Sequence, residues 1–285
     1  MKAIACELPS KFGLPLSRFS RAELRRHVLA TGLVARISGV TIWRWLREDA
    51  IRPWTHRSWI FPRDPSFAEK AGRVLDLYRR RWQGRPLGRR DFVITADEKT
   101  QIQIRQRRHP ITAPGPHRPM RVESDYKRRG TCAYLAAWDV HRAKLFGRVV
   151  KRISIAAFDA LVADVMRRPP YRAARRVFWI VDNGTIHRGQ RAITRLRARW
   201  PNVIVVHLPV HASWLNQIEI YFSVVQRKAL MPDAFATRTE ATTRLLGFQR
   251  HYQRMARPFE WRFGRADLAK LLRRCSPLQP HRPAA

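Results

Sequence analysis

Acidic residues are scarce in this chain. Asp and Glu number 21 against 57 Lys and Arg in 285 residues, a formal net charge of +36. An Arg-rich codon bias trades Lys for Arg but does not remove acids, so the imbalance points to a polyanionic partner, most often nucleic acid. Lysine is scarce too: nine Lys leave 48 Arg, and the guanidinium fork suits phosphate better than a point charge does. Cysteine is limited to Cys6, Cys132 and Cys275. They are too far apart for a metal-binding spacing, which excludes a structural zinc and fits a reducing compartment. No apolar run is long enough to cross a bilayer, and MKAIACELPSKFG at the start lacks the apolar core of a secretion signal. The expectation is a cytoplasmic protein with no membrane partner. What is present is ample core material, 45% hydrophobic residues, enough for one large or two modest domains.

The pattern along the chain changes near position 90. Before it, helical signals dominate. SRAELRRHVLATGL opens with a capping box, Ser20 and Glu23, and lines Leu24, Val28 and Leu29 on one face. A break at Gly32 and a turn at Ser38-Gly39 precede a second helix from Thr41 to Glu48. Ile42, Trp45 and Leu46 are expected inward, and Trp43, Arg44 and Arg47 outward. Two helices around a Gly-containing turn, the second bearing outward Arg, suggest a helix-turn-helix, with a plain packing hairpin as the alternative. Thr41, Trp43, Arg44 and Arg47 are the candidate DNA contacts there. Arg52 and Arg57 join them from IRPWTHRSWIFPRDPSF, an extended Pro-rich stretch suited to lie along phosphates. A helix from Ala68, ended by Gly84, completes a basic linker region.

From Asp91 the chain alternates strands and helices. DFVITADEKT, TCAYLAAWDV and KLFGRVV read as strands, with HPITAPGPHRPMRVES as a loop. A helix from Ile153, the buried strand VFWIVDNG, the helix HRGQRAITRLRARW, the strand NVIVVHLP and the helix HASWLNQIEIYFSVVQRKAL follow. The order β-β-β-α-β-α-β-α mixes an antiparallel start with parallel units. It predicts an α/β, ribonuclease-H-like domain, a mixed sheet flanked by helices, preceded by a small all-α domain. The expected divisions are 1–50, 51–90, 91–237, and 238–285 with a frayed tail, SPLQPHRPAA.

With few acids, their positions carry information. Asp97 and Asp182 each end an apolar strand, where ligands gather in open α/β sheets, although a strand-ending Asp also suits a turn. In the helix from His211, Trp214, Ile218, Phe222 and Val225 form one stripe at about 100° per residue. Glu219 lies on its edge, with no cation three or four residues away to hold it. Three carboxylates from separate elements form the oxygen-rich donor set that Mg²⁺ prefers, in a site able to activate water or a 3′-hydroxyl against a phosphodiester.

ADEKTQIQIRQR around Asp97, IVDNGTIH around Asp182 and the helix around Glu219 resemble the catalytic blocks of bacterial insertion-sequence transposases. These are DDE-type enzymes of the mariner superfamily, insertion sequence 630 branch. CELPSKFGLPLSRFSRAEL and HRSWIFPRDPSFAEKAGRVLDLY resemble the same branch. The resemblance implies a catalytic and metal-binding triad of Asp97, Asp182 and Glu219, the last two 37 positions apart. It also implies Mg²⁺, with Mn²⁺ as substitute. The implied partner is double-stranded DNA, terminal inverted repeats and TA-type targets, bound by a homodimer on paired ends in a bacterial, nucleoid-associated protein. Asn183 and His187 are supporting candidates, for orienting Asp182 and for standing near the scissile phosphate, with helix capping as the alternative. Glu98 reads as structural, on the opposite strand face, and Asp139 as the best substitute acid. Family members usually carry a further helix-turn-helix ahead of CELP, so an N-terminally shortened chain is expected. Two other readings stay open: a non-catalytic DNA-binding remnant, and a ribonuclease H-type nuclease.

Overall fold

The computed structural model describes residues 1–56, 62–232 and 234–275, and the chain divides into two compact units, Met1–Ile60 and Phe61–Ala285. Arg57, one of the candidate DNA contacts, and the SPLQPHRPAA tail lie outside the described residues.

The first unit is built on two helices, α1 (Arg21–Ala30) and α2 (Gly39–Glu48). The capping box forms: the Glu23 N–H donates to Ser20 Oγ, and the Ser20 N–H donates to Glu23 Oε2 at 2.7 Å. Ser38 caps α2 in the same way through the Thr41 N–H. A small core of Phe19, Leu24, Val28, Ile37, Ile42 and Leu46 joins the helices. Trp45, expected inward, is 40% exposed. Ile42 and Leu46 centre the buried stripe, and Trp45 lies about 80° away from it, so a helix facing one small partner leaves it outside. The connection from Thr31 to Ser38 is longer than the three or four residues of a standard helix-turn-helix turn.

The second unit holds the mixed sheet. Its strands are β1 (Asp91–Gln106), β2 (Lys127–Asp139), β3 (Lys144–Val150), β4 (Arg176–Val181) and β5 (Val203–His207). Their spatial order is β3-β2-β1-β4-β5, antiparallel on the β2 side of β1 and parallel on the β4 side. The unbroken apolar run of β4 is buried on both faces, as a central parallel strand requires. One face packs under α4 (Ile155–Met166) and α5 (Gly189–Arg199). The other carries α3 (Phe67–Tyr78), α6 (Ile218–Val225), α7 (Arg238–Met255) and α8 (Arg265–Cys275). The stretch read as a linker and helix thus contains α3, which buries Phe67, Ala71, Val74, Leu75 and Leu77 in the core of this unit. α7 is tied to the sheet by polar bonds: Tyr134 Oη donates to Gln249 Oε1, and Gln253 bridges Leu145 N–H and Ala143 O. Among the described residues no helix is long and apolar enough to cross a membrane.

The end of the sheet where β1 and β4 begin is locked by charge. Asp91, 1% exposed, accepts both forks of Arg176, at 3.0 and 2.7 Å, across the β1–β4 pair. Arg176 holds the Asp91 carboxyl below its ordinary range despite burial. A depressed carboxyl contributes stability above its unfolded pKa and loses it as the pH falls toward the folded value. Asp91→Asn is expected to cost about 1–3 kcal/mol at neutral pH. The melting-temperature gap to the parent should close as the pH drops below about 4, and a gap that persists in acid would contradict the assignment.

Candidate active site

Two predicted acids become neighbours through strand register. Parallel pairing of β1 and β4 matches Ile94 with Trp179 and Thr95 with Ile180. Two residues farther along stand Asp97 and Asp182, projecting from the same face of adjacent strands that lie about 4.8 Å apart. That is the face carrying Val93, Phe178 and Ile180 into the core beneath α6. Asp97 does not end its strand as expected. β1 runs on to Gln106 because its hairpin with β2 outlasts its pairing with β4, with bulges after Lys99 and Gln103. The acid instead marks where the parallel part of the sheet stops.

Glu219 comes from α6, and the route to it differs from one continuous helix. The segment breaks into a 3₁₀ turn (Ser213–Leu215), an extended Asn216, α6, and a π-turn (Gln226–Leu230). Trp214 therefore falls out of phase with Ile218, Phe222 and Val225, and is exposed at 42% against the Phe263 ring. Asn216 uses the break: its amide donates to Ala96 O at 3.2 Å and to Asp97 Oδ2 at 3.1 Å. Tyr78 of α3 fixes the same turn from behind. Its hydroxyl donates to Leu215 O at 2.6 Å and accepts the Gln217 N–H.

Asp182 is held by its own loop. The Gly184 N–H donates to Oδ1 at 2.7 Å, and His187 Nε2 donates to the same oxygen. His187 is fully buried against Phe158, and its carbonyl accepts from His207 Nε2 at 2.8 Å. Asn183 does not touch Asp182; its amide donates to Leu208 O at 2.7 Å, clipping the loop to the end of β5. A Cβ on Gly184 would stand 2.9 Å from Asp182 Oδ1 and 3.1 Å from His187 Nε2, so a larger residue would push the Asp182 carboxylate or the His187 ring out of place.

The electrostatics describe a cluster of like charges. Burial first, then Asp182, Glu98 and Glu219, push the Asp97 carboxyl up to about 8. Glu219 stands at the exposed rim. Desolvation raises it, Lys99 of β1 pulls it down, and Asp182 raises it again. Glu98 points to the other strand face, near His187, yet burial raises it and Asp182 and Glu219 add to the rise. Asp182 alone is lowered: its desolvation is outweighed by the His187 and Gly184 hydrogen bonds. Arg105 and Arg107 aside, no Arg or Lys of the described residues forms an ion pair with these four acids. The donor set is all hard oxygen and short of positive charge, which fits a divalent cation by its chemistry. As placed, no three His, Cys, Asp or Glu side chains of the described residues could hold one ion together.

Asp139 cannot substitute in this cluster. It pairs with Ile94, at the far end of β2, where Tyr171 Oη donates to it at 2.7 Å. In the first unit, Trp43, Arg44, Arg47 and Arg52 are exposed, with the Arg47 guanidinium over the Trp43 ring, while Thr41 is engaged with its Ser38 cap. Sequence reasoning missed Asn216 as a partner of Asp97, Lys99 as the cation near Glu219, and the close fit of Gly184. The glycine directly after Asp182-Asn183 was the one available signal.

Residues 93–241 match the family model described as DDE superfamily endonuclease, just over half of the chain. Among solved structures the chain is similar to the Mos1 mariner paired end complex with Mn, at 18% identity and TM-score 0.52, covering 92% of this chain and 79% of that one. It is also similar to the catalytic domain of Mos1 mariner transposase, at 15% identity and TM-score 0.48, covering 78% and 96%. At these identities the likeness is one of fold, the ribonuclease-H-like mixed sheet. None of the curated proteins matches the chain.

A carboxyl raised in the folded state favours folding while protonated, and that contribution is lost as the pH rises toward the folded value. Without divalent ions, the protein is expected to melt lower at pH 9 than at pH 6. Asp97→Asn should remove a difference of about 2–4 °C or more. Equal pH slopes in parent and variant melting curves would refute the like-charge cluster.

Proposed function

Because the chain belongs to the DDE superfamily endonucleases, we propose that it is a mariner-type transposase, of the bacterial insertion sequence 630 branch, cutting and joining DNA at Asp97, Asp182 and Glu219. The observation that carries this reading is the register-matched Asp97–Asp182 pair near Glu219, a cluster of like charges that lifts the Asp97 carboxyl in a chain of net charge +36. The similar Mos1 structure with TM-score 0.52 is a paired end complex with Mn, which supports a dimer on paired DNA ends and a divalent cation; the ends are proposed to be terminal inverted repeats and the cation Mg²⁺, with Mn²⁺ as substitute. The first unit, with Trp43, Arg44, Arg47 and Arg52 on its surface, is the proposed helix-turn-helix reader, and the two units divide reading from chemistry.

A divalent cation held by Asp97, Asp182 and Glu219 would supply Lewis-acid polarisation of the phosphodiester and a nucleophile activated at neutral pH. The chain supplies the rest. Asn216 holds Asp97 in place and ties the Glu219 helix to the strand beneath it. His187 and Gly184 occupy one oxygen of Asp182 and leave Oδ2 free. Lys99 sits by Glu219 as the local cation, suited to a phosphate oxygen. In hydrolysis, water oxygen bonds to phosphorus, the P–O3′ bond breaks, and the proton lost by water is balanced by that taken up by the 3′-oxygen. In strand transfer that 3′-hydroxyl oxygen bonds to a phosphorus of the target strand, whose own P–O3′ bond breaks, and the proton lost by the hydroxyl is balanced by that taken up by the released 3′-oxygen, so one site serves both in-line steps. Arg elsewhere on the surface binds the DNA backbone.

The test is Mg²⁺-dependent nicking and joining of duplexes carrying the element's ends. Asp182→Ala should abolish both while leaving DNA binding intact. Asn216→Ala and Gly184→Ala should lower the rate about 10–100-fold, the usual cost of disturbing supporting residues. Mn²⁺ should raise the melting temperature of the parent and not of an Asp97→Asn/Asp182→Asn double variant. Salt-sensitive DNA binding with no cleavage under any divalent ion would instead identify a non-catalytic DNA-binding protein. Cleavage confined to RNA–DNA hybrids would identify a ribonuclease H-type nuclease.

A further inference from the structure

A second charged feature lies at the opposite end of the sheet. There the start of β1 and the end of β2 border a cavity of about 390 Å³, lined by Arg80, Arg89, Asp91, Asp139, His141 and Arg142 among others. Asp91 is six residues before Asp97 on β1, so at about 3.3 Å per residue the cavity is roughly 20 Å from the carboxylate cluster.

The acids in this cavity are already satisfied. Asp91 is bonded by Arg176 and by the Gly88 N–H. Asp139 accepts from Tyr171 Oη and from the N–H groups of His141 and Arg142. Arg80, Arg89 and Arg142 are exposed, and none forms an ion pair among the described residues. Two of the three are nonetheless held in place. Arg80 donates to Gly88 O at 3.0 Å. The Arg142 guanidinium lies 5.7 Å from the centroids of both the Phe92 and Tyr171 rings and donates to Tyr171 Oη at 3.4 Å. A guanidinium has five N–H donors, so each retains most of its fork. His141 Nε2 donates to Leu77 O, and burial together with Arg80 keeps its ring neutral, its pKa lowered, so the positive charge here is that of the arginines. Asp139 shares the hollow and is drawn down by Arg142, yet none of the three forks is ion-paired among the described residues, and three planar forks around one hollow suit a bidentate anion.

We propose that this cavity is a non-catalytic phosphate site that grips the backbone of a DNA segment away from the bond being cut. The assignment rests on the DNA-processing reading above. Its distance from Asp97 excludes the scissile phosphate itself, and its chemistry suits either a distal flank of the same duplex or a separate one.

The experiment compares the parent with Arg80→Ala/Arg89→Ala, with Arg89→Glu, and with a charge-matched control, Arg197→Ala/Arg199→Ala on α5. Binding is measured across a salt series in two arms: one long duplex, or a short cleavable duplex plus a second labelled duplex. The double variant should reduce the log–log salt slope by about 2, at roughly 0.9 per phosphate contact, and Arg89→Glu, whose side chain is exposed, should reduce it by about 1 or more. Mg²⁺-dependent nicking of the short duplex should be unchanged. Loss in the long-duplex arm alone identifies a flank, and loss of the second duplex identifies a separate segment. Slopes unchanged in both arms, or reduced equally by the control, overturn the proposal. A parent that binds with the expected slope but never nicks overturns the catalytic reading and leaves this site standing. A parent that binds no DNA overturns both.

Discussion

Two carboxylates on neighbouring parallel strands, one of them buried, set the conditions for the rest of the second unit. Like charges a strand apart repel, and burial strengthens the repulsion. Elsewhere this chain resolves such costs with cations: Asp91 with Arg176, Asp64 with Lys70, Asp159 with Arg195, Asp164 with Arg148. Around Asp97 and Asp182 it uses other donors, the Asn216 amide, the Glu98 and Gly184 N–H groups and the His187 ring. In a protein with 48 Arg, the donors that hold Asp97 and Asp182 among the described residues include no guanidinium. An Arg bridging the pair would stabilise the empty fold and remove the negative charge that a cation needs. Amide and backbone N–H donors fix direction without discharging the site.

Those donors come from turns, and the turns depend on packing outside the cluster. Asn216 reaches Asp97 only because the helix breaks there, and the break is held by Tyr78, itself edge-on to Trp261. α3 thus acts on the position of Glu219 without touching it. On the other strand, the loop after β4 is closed by three short contacts: Gly184 under Asp182, Asn183 on Leu208 O, and His207 on His187 O. Asp97 is held by the Asn216 side chain and Asp182 by its own loop, and both turns are in turn anchored by side chains bonded to backbone groups. The geometry is therefore set by the sheet and the two loops together, and no single side chain determines it.

Much of the sheet was legible because apolar runs and their breaks fix strands strongly. β4 and β5 are uninterrupted, and the antiparallel start followed by βα units leaves few topologies open. Asp97 and Asp182 stood out since acids are rare and both follow such runs. What was not legible depended on long-range contact. Trp214 fits the stripe of Ile218 and Phe222 by count, and only the interruption at Asn216, imposed by its bonds to β1, removes it. Trp45 sits at the edge of its stripe, where a small partner decides the outcome. Asp139 resembles Asp97 as a strand-ending acid, but antiparallel pairing sends it to the opposite end of the sheet. Local pattern cannot distinguish those two ends; register can. Lys99 was invisible as a neighbour of Glu219 for the same reason, being 120 positions away in sequence.

Strand direction also explains how one small sheet can hold opposite charges. β1 and β4 run parallel, so both carry their acids just past the carboxyl end of their shared pairing, while Arg175 and Arg176 crowd the amino end of β4 beside Arg89 and Arg90. Roughly 20 Å of buried apolar strand separates the two groups. The screening length in about 0.1 M salt is near 10 Å, so the arginines at one end do little to neutralise the carboxylates at the other. Each end keeps the charge its chemistry requires, and the apolar interior of β1 and β4 is what keeps them apart. Shortening those strands would weaken the core, and it would also bring the guanidinium groups within range of Asp97, lowering the raised carboxyl and favouring internal salt bridges over a bound cation.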